Sequence, residues 1–396
     1  MMDNSFKYLI IGGGMTASAA ICSLREADKD SAIGLITAES HQPYDRPPLS
    51  KGLWKDSTVE EIKRNIDYSN VDIFLNRFAQ KIDTNRKVVT DSEGRTYRYE
   101  KLLLATGGSP RQLPFGNGHI IYYRTLSDYE RLRQLAAKHD KFVVIGGGFI
   151  GAEVAAALAI NGKRVTMVFP DKGICARLFP AGLSQYITDT YREKGVEVLT
   201  DEEVIRLSGN DTDLKVVTMS GREIRANGVV AGIGIEVNTE LAESAGLSVD
   251  NGIVVDKNLR TSNKDIYAAG DVAVFYDPFL EKYRRVEHED NALTMGGVAG
   301  TAMAGDEETE YNHSPMFYSD MFDMGYEAVG ELNSDLEMVE NWQEKYKKGI
   351  VYYLKEGKVR GVLLWNVWDQ VSNARNLIAE NATFTPQMLK DQIPFD

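Results

Sequence analysis

The stretch that decides the fold is Phe142–Ala155, FVVIGGGFIGAEVA, in which an apolar run leads into glycines and then into small residues. Gly146, Gly148 and Gly151 give the spacing G-x-G-x-x-G. Glycines allow the backbone angles of a tight turn and let a pyrophosphate approach the start of the following helix. The stretch therefore predicts a strand, a phosphate-binding turn and a helix, which together begin a dinucleotide-binding unit.

A second copy of this pattern lies near the start of the chain. Tyr8–Ala20, YLIIGGGMTASAA, places Gly12, Gly14 and Ala17 at the matching positions. One such glycine pattern alone is weak evidence. Two copies, each after an apolar run and before a helix of small residues, predict two dinucleotide sites in one chain.

Each copy is followed by a predicted strand that ends near a carboxylate. Ala32–Thr37 precedes Glu39, and Lys163–Phe169 precedes Asp171. A carboxylate at this place can accept hydrogen bonds from ribose hydroxyls and repels a 2′-phosphate, so we expect NADH rather than NADPH at the second site. Lys172 beside Asp171 weakens that preference, and Glu39 could instead be a solvated acid at the end of a loop.

The segment His41–Trp54, HQPYDRPPLSKGLW, is predicted to be a rigid loop, because two adjacent prolines fix its backbone. Open α/β sheets bind ligands in loops that follow their strands. Arg46 could hold a pyrophosphate, and Lys51 could stabilise negative charge that develops on a redox ring. Each of these residues could also be an ordinary surface cation.

Two residues of the second glycine stretch are candidates for catalysis. Glu153 falls in the first helical turn, where an acid complements the helix dipole. Alternatively, it reaches the nicotinamide end of the ligand and pairs with Lys51. Phe149 is bulky for a glycine loop, and it acts either as a lid over a neighbouring ring or as simple packing.

Later strands also end in small residues: KLLLATG at 101–107, VVAGIG at 229–234 and DIYAAGD at 265–271. Asp271 could bond a polyol hydroxyl, and it could also cap a helix that we expect it to open. His288 follows in RRVEHEDN, just before a helix rich in glycine and alanine, and is either a ligand-site residue or a packing or capping residue.

The last 80 or so residues differ in character, with a predicted hairpin over Lys348–Trp365, a helix near 371–380 and a tail after it. The net charge of −13 argues against binding to nucleic acid. The basic cluster from Lys345 to Arg360 is interpreted as a solvated hairpin edge. No apolar run approaches the roughly 20 residues that span a bilayer.

The first strand begins almost at once, so we expect no targeting peptide and a cytoplasmic location, or an organelle after removal of a targeting segment. Cys22 and Cys175 form neither C-x-x-C nor C-x-x-x-x-C, which argues against a redox-active disulfide. Cys22 is expected to be buried as small core filler. The five histidines share no metal-ligand spacing, so we predict no metal site.

Together, the two turns, the ATG strand and the AAGD strand resemble the two-nucleotide flavoprotein reductases with the glutathione-reductase-like fold. PYDRPPLSK, GGGFIGAE, FPDKG, RRVEHEDNA, MFYSD, GYEAVG and VRGVLLWNVWDQVSNARNLI are similar to apoptosis-inducing factor and its relatives over nearly the whole chain. The resemblance implies an α/β fold with two Rossmann-like domains and a small α+β C-terminal domain. An FAD-binding domain would occupy 1–122 and 236–314, with an NAD-binding domain at 123–235 inserted into it and the C-terminal domain at 315–396.

The resemblance also implies roles for individual residues. The first turn would hold FAD and the second NADH. Arg46 and Lys51 would contact FAD, Asp271 its ribityl chain, and Phe149 would gate the nicotinamide. Tyr318, at a position where the animal relatives have tryptophan, would lie by the flavin ring with His288. The candidates for catalysis are Lys51, Phe149, Glu153 and His288. The candidates for cofactor binding are Gly12, Gly14, Ala17, Glu39, Arg46, Lys51, Ala105, Thr106, Gly107, Gly146, Gly148, Phe149, Ile150, Gly151, Glu153, Asp171, Lys172, Gly234, Gly270, Asp271, Glu287, His288 and Tyr318.

We therefore expect an FAD-dependent NADH oxidoreductase in which a hydride passes from NADH to flavin N5 and Lys51 stabilises the reduced flavin. The electron acceptor, which could be a quinone, oxygen or a small iron–sulfur carrier, stays open. One hypothesis is a slow oxidase whose reduced, NAD-bound form is long-lived and changes assembly state, for example to an NADH-linked homodimer, so that it acts as a redox sensor. A second is a ferredoxin or rubredoxin reductase, and a third is a binding scaffold that uses NADH only as a ligand.

Overall fold

The computed structural model describes residues 4–116 and 118–395. They divide into two compact units. Unit 1 comprises the chain as far as Arg46, together with Val59–Ser109 and Glu236–Pro315. Unit 2 comprises Pro47–Thr58, Pro110–Ile235 and the chain from Met316 onward.

The helices of the described residues are α1 Met15–Ala27, α2 Leu126–Lys138, α3 Phe149–Ile160, α4 Ala181–Glu193, α5 Glu240–Ser244, α6 Glu289–Met303, α7 Val371–Ala379 and α8 Pro386–Leu389, with 3-10 turns at Pro47–Ser50, Gly52–Trp54 and Gly270–Val272. The strands are β1 Ser5–Ile11, β2 Ile33–Ile36, β3 Val71–Phe74, β4 Ala79–Asp83, β5 Val88–Asp91, β6 Thr96–Leu104, β7 Gly108–Pro110, β8 Ile120–Tyr122, β9 Lys141–Ile145, β10 Arg164–Val168, β11 Glu197–Leu199, β12 Val204–Asn210, β13 Asp213–Thr218, β14 Glu223–Ala226, β15 Gly228–Ala231, β16 Ile235–Val237, β17 Ile253–Val254, β18 Ile266–Ala268, β19 Ala273–Asp277, β20 Lys282–Arg284, β21 Met316–Met321, β22 Met324–Gly330, β23 Glu337–Glu344, β24 Lys348–Lys355 and β25 Lys358–Trp365.

The main sheet of unit 1 has the order β3-β2-β1-β6-β5-β4, and β18 pairs with the last part of β6. Strands β3, β2, β1, β6 and β18 are parallel, whereas β4, β5 and β6 form antiparallel pairs. Ile11 is opposite Leu104, and Leu104 is opposite Ala268. The predicted ligand segments after β1, β6 and β18 therefore start at one edge of this sheet.

Helix α1 packs closely against α6 in unit 1 because α6 offers glycines at the contact. A Cβ atom on Gly296 would lie 2.3 Å from the carbonyl oxygen of Thr16, and one on Gly300 would lie 2.6 Å from that of Ala20. Real Cβ atoms do not approach that closely. The small residues of both helices therefore set their spacing and fix α1, which follows the first glycine turn.

Unit 2 contains a parallel sheet with the order β11-β10-β9-β15-β8. Ile145 is opposite both Val168 and Ala231, so the segments after β9, β10 and β15 start at the same sheet edge. Unit 2 also contains a separate antiparallel sheet with the order β12-β13-β14. The continuous apolar runs of β9 and β15 are buried, as is typical of parallel strands covered on both faces.

Unit 2 also contains the C-terminal antiparallel sheet, with the order β21-β22-β25-β24-β23. The predicted hairpin forms as β24 and β25, and the predicted helix forms as α7. The prediction of a tail after Glu380 is wrong, because α8 forms there and Leu389 and Ile393 are almost fully buried. Their apolar side chains gain more from packing than from exposure to water.

Three further local predictions need correction. Asp271 does not open an α-helix, because it lies within the 3-10 turn Gly270–Val272, which leads into β19. The sequence predicts a hairpin turn at Gly209 and Asn210, but the turn lies at residues 211–212, because β12 continues through Asn210. Cys22 is only partly buried, whereas Cys175 is buried and both thiols are free.

The basic run near the C-terminus does not form one patch. Lys345 and Lys347 lie at the turn between β23 and β24, and Lys355 and Lys358 lie at the other end of β24, about 24 Å away at the usual rise per strand residue. Lys347 also pairs with Glu344. The basic residues of this run therefore lie at two separate hairpin ends.

Candidate functional site

The first glycine turn fits an anionic group at the start of α1. Gly12 has a φ of +109°, and a Cβ there would lie 2.1 Å from the carbonyl oxygen of Ala105. Gly14 is the N-cap of α1, and no described side chain bonds to the helix start there. A Cβ on Gly14 would approach only the Arg46 guanidinium, at 3.9 Å. Uncapped N–H groups beside a cation suit a pyrophosphate.

Glu39 and Arg46 form an ion pair at this turn, which the sequence did not predict. Arg46 Nη2 lies 2.6 Å from Glu39 Oε1, and the Tyr44 hydroxyl donates to Oε2 at 2.6 Å. Desolvation opposes the charge of Arg46, but Glu39, Tyr44 and Asp271 together raise its pKa. Arg46 therefore stays charged, and Glu39 is held in one orientation at the end of β2.

The segments after β6 and β18 are closely fitted within unit 1. The Thr106 hydroxyl donates to the backbone carbonyl of Asn238, and the side-chain amide of Asn238 donates to the backbone carbonyl of Thr106, each at 2.9 Å. Gly107 and Gly270 have φ values of +59° and +78°. A Cβ on Gly270 would lie 2.3 Å from the Thr16 hydroxyl, so only glycine fits beside the first turn of α1.

His288 is a neutral imidazole at physiological pH. Desolvation lowers its pKa to about 4, with a further contribution from Arg284, while Asp271 and Asp290 oppose the shift. His288 is the N-cap residue of α6, although no described cap bond comes from its side chain. Its ring can exchange hydrogen bonds with a ligand, but it does not supply a positive charge.

Glu287 is engaged with a neighbouring cation. Arg285 Nη1 donates to Glu287 Oε1 at 2.5 Å and to the backbone carbonyl of Asp271 at 3.1 Å. Arg285 therefore links two of the predicted ligand residues, and this cation had not been singled out in the sequence.

The second glycine turn repeats the geometry of the first. Gly146 has a φ of +115°, and a Cβ there would lie 2.3 Å from the carbonyl oxygen of Gly232. A Cβ on Gly151 would lie 2.1 Å from the carbonyl oxygen of Gly146. Gly148 is the N-cap of α3, no described side chain caps it, and a Cβ there would meet no described atom within 4 Å. Open space at an uncapped helix start again fits a pyrophosphate.

The other predicted residues of the second site lie at the start of α3 or after β10 and β15. Asp171 follows β10 and accepts a hydrogen bond from Arg177 Nε at 2.8 Å, while Lys172 is exposed. Ile150 is an exposed apolar residue beside the turn. Gly234 has a φ of +90°, and its carbonyl accepts from the backbone N–H of Arg111 at 3.0 Å.

Glu153 is the centre of a buried polar cluster in unit 2. Its side chain is 4% exposed, and Lys51 Nζ lies 2.7 Å from Oε1. The hydroxyl of Ser50 donates to Oε2 and that of Ser319 to Oε1, each at 2.5 Å. The pairing of Lys51 with Glu153, one of the two alternatives for Glu153, is therefore present, and two serines complete it.

The loop that carries Lys51 is fixed by aromatic side chains. Trp54 Nε1 donates to the Leu49 carbonyl at 2.9 Å, and the Tyr123 hydroxyl donates to the same carbonyl. Burial raises the pKa of Tyr123 far above its usual value, so it remains a hydrogen-bond donor. Asn161 Nδ2 bonds to the carbonyl of Trp54 at 3.0 Å. The 3-10 turns on either side of Lys51 are thus tied to α3 and its neighbours.

Two predicted aromatic residues lie near this cluster. The Phe149 ring packs against Phe317 and Tyr326, with centroids 5.7 and 6.1 Å away. Tyr318 is 38% exposed, and Lys51 Nζ lies 5.2 Å from the centre of its ring. Lys51 therefore contacts a carboxylate and an aromatic face at once.

Ser50, Ser319 and Asn238 belong to these sites but were not predicted from the sequence. The two serines stand next to Lys51 and Tyr318, in the stretches PPLSK and FYSD, and each is a polar residue in a buried setting. That contrast between a hydroxyl and its apolar neighbours was the available signal. Asn238 carried no comparable signal.

Among residues 4–116 and 118–395, no helix is long and apolar enough to cross a membrane. Within the same part of the chain, no group of three or more His, Cys, Asp or Glu side chains is arranged to hold a metal ion.

Comparison with known proteins supports these observations. The family model described as pyridine nucleotide-disulphide oxidoreductase matches residues 6–296, and the one described as apoptosis-inducing factor, mitochondrion-associated, C-term matches residues 337–380. Apoptosis-inducing factor 1, mitochondrial, of Dictyostelium discoideum is 36% identical over 99% of this chain and 82% of its own length. Rubredoxin-NAD(+) reductase of Pseudomonas putida is 34% identical over 82% of this chain and 86% of its own length. The structure of a covalent putidaredoxin reductase–putidaredoxin complex matches with a TM-score of 0.89 and 30% identity, over 98% of this chain and 96% of that one.

The chain therefore belongs to the pyridine nucleotide-disulphide oxidoreductase family, and within it to the proteins similar to apoptosis-inducing factor. This confirms the α/β fold class and the prediction of an oxidoreductase that uses FAD and NADH.

Proposed function

We propose that the first glycine turn, in unit 1, holds FAD and that the second, in unit 2, holds NADH. The FAD-binding domain would occupy 1–122 and 236–314, the NAD-binding domain 123–235 and the C-terminal domain 315–396. The observation that carries this proposal is the ion pair of Lys51 and Glu153, which lies one helical turn beyond the uncapped start of α3. When bound, NADH supplies a hydride and FAD accepts it.

In this proposal Lys51 stabilises the negative charge that reduction places on the flavin. Its side chain is 17% exposed, so its charge is less screened than that of a surface lysine. Glu153 holds the ammonium in place and is available to the carboxamide of nicotinamide. Phe149, packed on two aromatic rings, gates the nicotinamide.

The other residues bind and orient the cofactors. Arg46 neutralises the pyrophosphate at the first turn, and Glu39 and Asp271 accept hydrogen bonds from cofactor hydroxyls. His288 contributes a neutral hydrogen-bonding ring, in keeping with its low pKa. Asp171 at the second turn favours NADH, because its carboxylate repels a 2′-phosphate.

The test is rapid-mixing reduction of the FAD-loaded protein by NADH in the absence of oxygen. Glu153→Ala should lower the limiting reduction rate at least about tenfold, the usual scale for loss of one preorganised group, and keep FAD bound. Glu193→Ala, at the exposed end of α4, is a control. A wild-type rate in Glu153→Ala would leave Glu153, which lies beyond the first turn of α3, as a structural partner of Lys51, Ser50 and Ser319.

The second candidate function is transfer of electrons from the reduced flavin to a small iron–sulfur carrier. It is supported by the similarity to a rubredoxin-NAD(+) reductase and to a reductase solved with putidaredoxin. The two cysteines lie in different units and lack a dithiol spacing, so the chain needs an acceptor other than its own disulfide. Rubredoxin, ferredoxin, a quinone and oxygen should be compared as acceptors under steady-state NADH.

For the compartment we propose the cytoplasm, with an organelle as the alternative because the Dictyostelium relative is named as mitochondrial. Fractionation of source cells with an antibody to the chain separates the two.

A further inference from the structure

The buried carboxylate of Glu153 is held by groups from two separate segments. Lys51 and Ser50 come from the loop after the two prolines, and Ser319 comes from β21 of the C-terminal sheet. Lys51 and Ser319 both donate to Oε1, and Ser50 donates to Oε2. Each carboxylate oxygen therefore has at least one donor, and one cation balances the charge.

Both serines occupy positions that favour apolar residues. Ser319 is 1% exposed, and it lies between the buried residues Phe317 and Met321 on the inward side of β21. Ser50 is 5% exposed and is followed by the buried residues Leu53 and Trp54. A buried hydroxyl is stabilised only when it has a hydrogen-bond partner, and Glu153 provides one to both.

Strand β21 contacts both members of the ion pair through consecutive residues. Tyr318 lies under the ammonium of Lys51, with 5.2 Å between Nζ and the ring centre, while Ser319 donates to Glu153. The C-terminal sheet thus fixes the place of the pair as well as its orientation. The C-terminal sheet, in which no nucleotide-binding turn is predicted, therefore contacts both members of the pair.

We propose that Ser50 and Ser319 are positioning residues for the reduction of the flavin. Their hydroxyls hold the carboxylate of Glu153 in one orientation, and that carboxylate holds the ammonium of Lys51 at one point. This inference rests on the proposed function, because it matters only if NADH reduces the bound flavin.

The experiment measures rapid reduction by NADH, without oxygen, in FAD-loaded Ser319→Ala, Ser50→Ala and the wild type. We expect each variant to lower the limiting rate constant about tenfold, as expected for loss of a charge-assisted hydrogen bond, with little change in the NADH concentration at half-saturation. The flavin midpoint potential, measured with redox dyes, should become more negative, because the positive charge near the reduced flavin is held less well. Ser319→Thr, which keeps a hydroxyl, should restore part of the rate.

A double-mutant cycle separates positioning from general damage. In a Glu153→Ala background, Ser319→Ala should cause no further loss of rate, because its partner is absent. Ser184→Ala is the matched control: Ser184 is a buried serine of unit 2 that donates to the carbonyl of Ile174 at 2.7 Å. The Ser184→Ala variant should keep the wild-type rate of flavin reduction even if its thermal stability changes.

The outcomes distinguish the two proposals. A wild-type protein whose flavin is not reduced by NADH would overturn the proposed function. A wild-type flavin that is reduced, with both serine variants within twofold of it in rate and unchanged in potential, would overturn only the positioning role. Losses that simply add in the Glu153→Ala background would also overturn it.

Discussion

His288 combines a candidate catalytic position with a strongly lowered pKa. Desolvation lowers that pKa from 6.5 to about 4. The folded protein therefore binds fewer protons at this site than the unfolded chain between those pH values. The resulting stability is fully present above pH 6.5 and is lost as the pH falls towards 4.

The direction of this pKa shift gives the first prediction. From pH 7.5 to pH 5, His288 should reduce the free energy of unfolding by about 1 to 2 kcal/mol, after allowance for the partial exposure of the ring. His288→Asn should remove that part of the acid sensitivity. Chemical denaturation of both proteins at the two pH values measures the difference. Equal losses in both would show that His288 is not the titrating group.

Asp171 gives a prediction about cofactor choice. Asp171→Asn should raise the KM for NADH about tenfold, because a charge-assisted ribose contact is weakened. It should lower the KM for NADPH, because Arg177 and Lys172 remain near a 2′-phosphate. The control is Asp189→Asn, which removes a comparable exposed pairing with Arg192 in the same unit. An unchanged NADH/NADPH preference would place Asp171 outside the ribose site.

The contact between α1 and α6 shows how one element supports a site that it does not line. Gly300→Ala would place a Cβ 2.6 Å from the carbonyl oxygen of Ala20, so the two helices must move apart. We expect a loss of about 2 kcal/mol in stability, typical of overpacking, and weaker FAD binding because α1 follows the first glycine turn.

Gly297→Ala is the matched control for that variant. Its Cβ would lie 3.5 Å from the Ser23 hydroxyl, an ordinary contact, and alanine favours a helix over glycine by up to about 1 kcal/mol. Thermal melts and FAD titration of both variants test the prediction. Equal behaviour of the two variants would contradict the packing argument.

The elements that could be predicted from the sequence are those with a strong local cause. Helix α1, Met15–Ala27, forms after the first glycine turn as predicted, and both glycine turns form because their residues take backbone angles or contacts that a side chain would block. The Lys51–Glu153 pair could be offered only as one of two alternatives for Glu153, since 102 residues separate its members. No local pattern links such distant positions.

The features that the sequence did not predict are those decided by contacts between residues that are distant in sequence. The chain after Glu380 folds onto the C-terminal sheet through Leu389 and Ile393. The roles of Ser50 and Ser319 depend on a carboxylate that lies far away in sequence.

For the molecule as a whole, the choice of electron acceptor and the assembly state stay predictions. If the chain is a slow oxidase and redox sensor, NADH should shift the FAD-loaded protein towards a homodimer in size-exclusion chromatography with light scattering, and added carriers should not speed turnover. Rapid turnover with rubredoxin or ferredoxin and an unchanged mass would favour the reductase instead.

The most direct test of the oxidoreductase is an anaerobic titration of the FAD-loaded protein with NADH, followed by the visible absorbance of the flavin. We predict that the oxidised flavin band is bleached as NADH is added. A flavin band that persists in excess NADH would contradict electron input from NADH and would leave the chain as a protein that binds the nucleotide without using it.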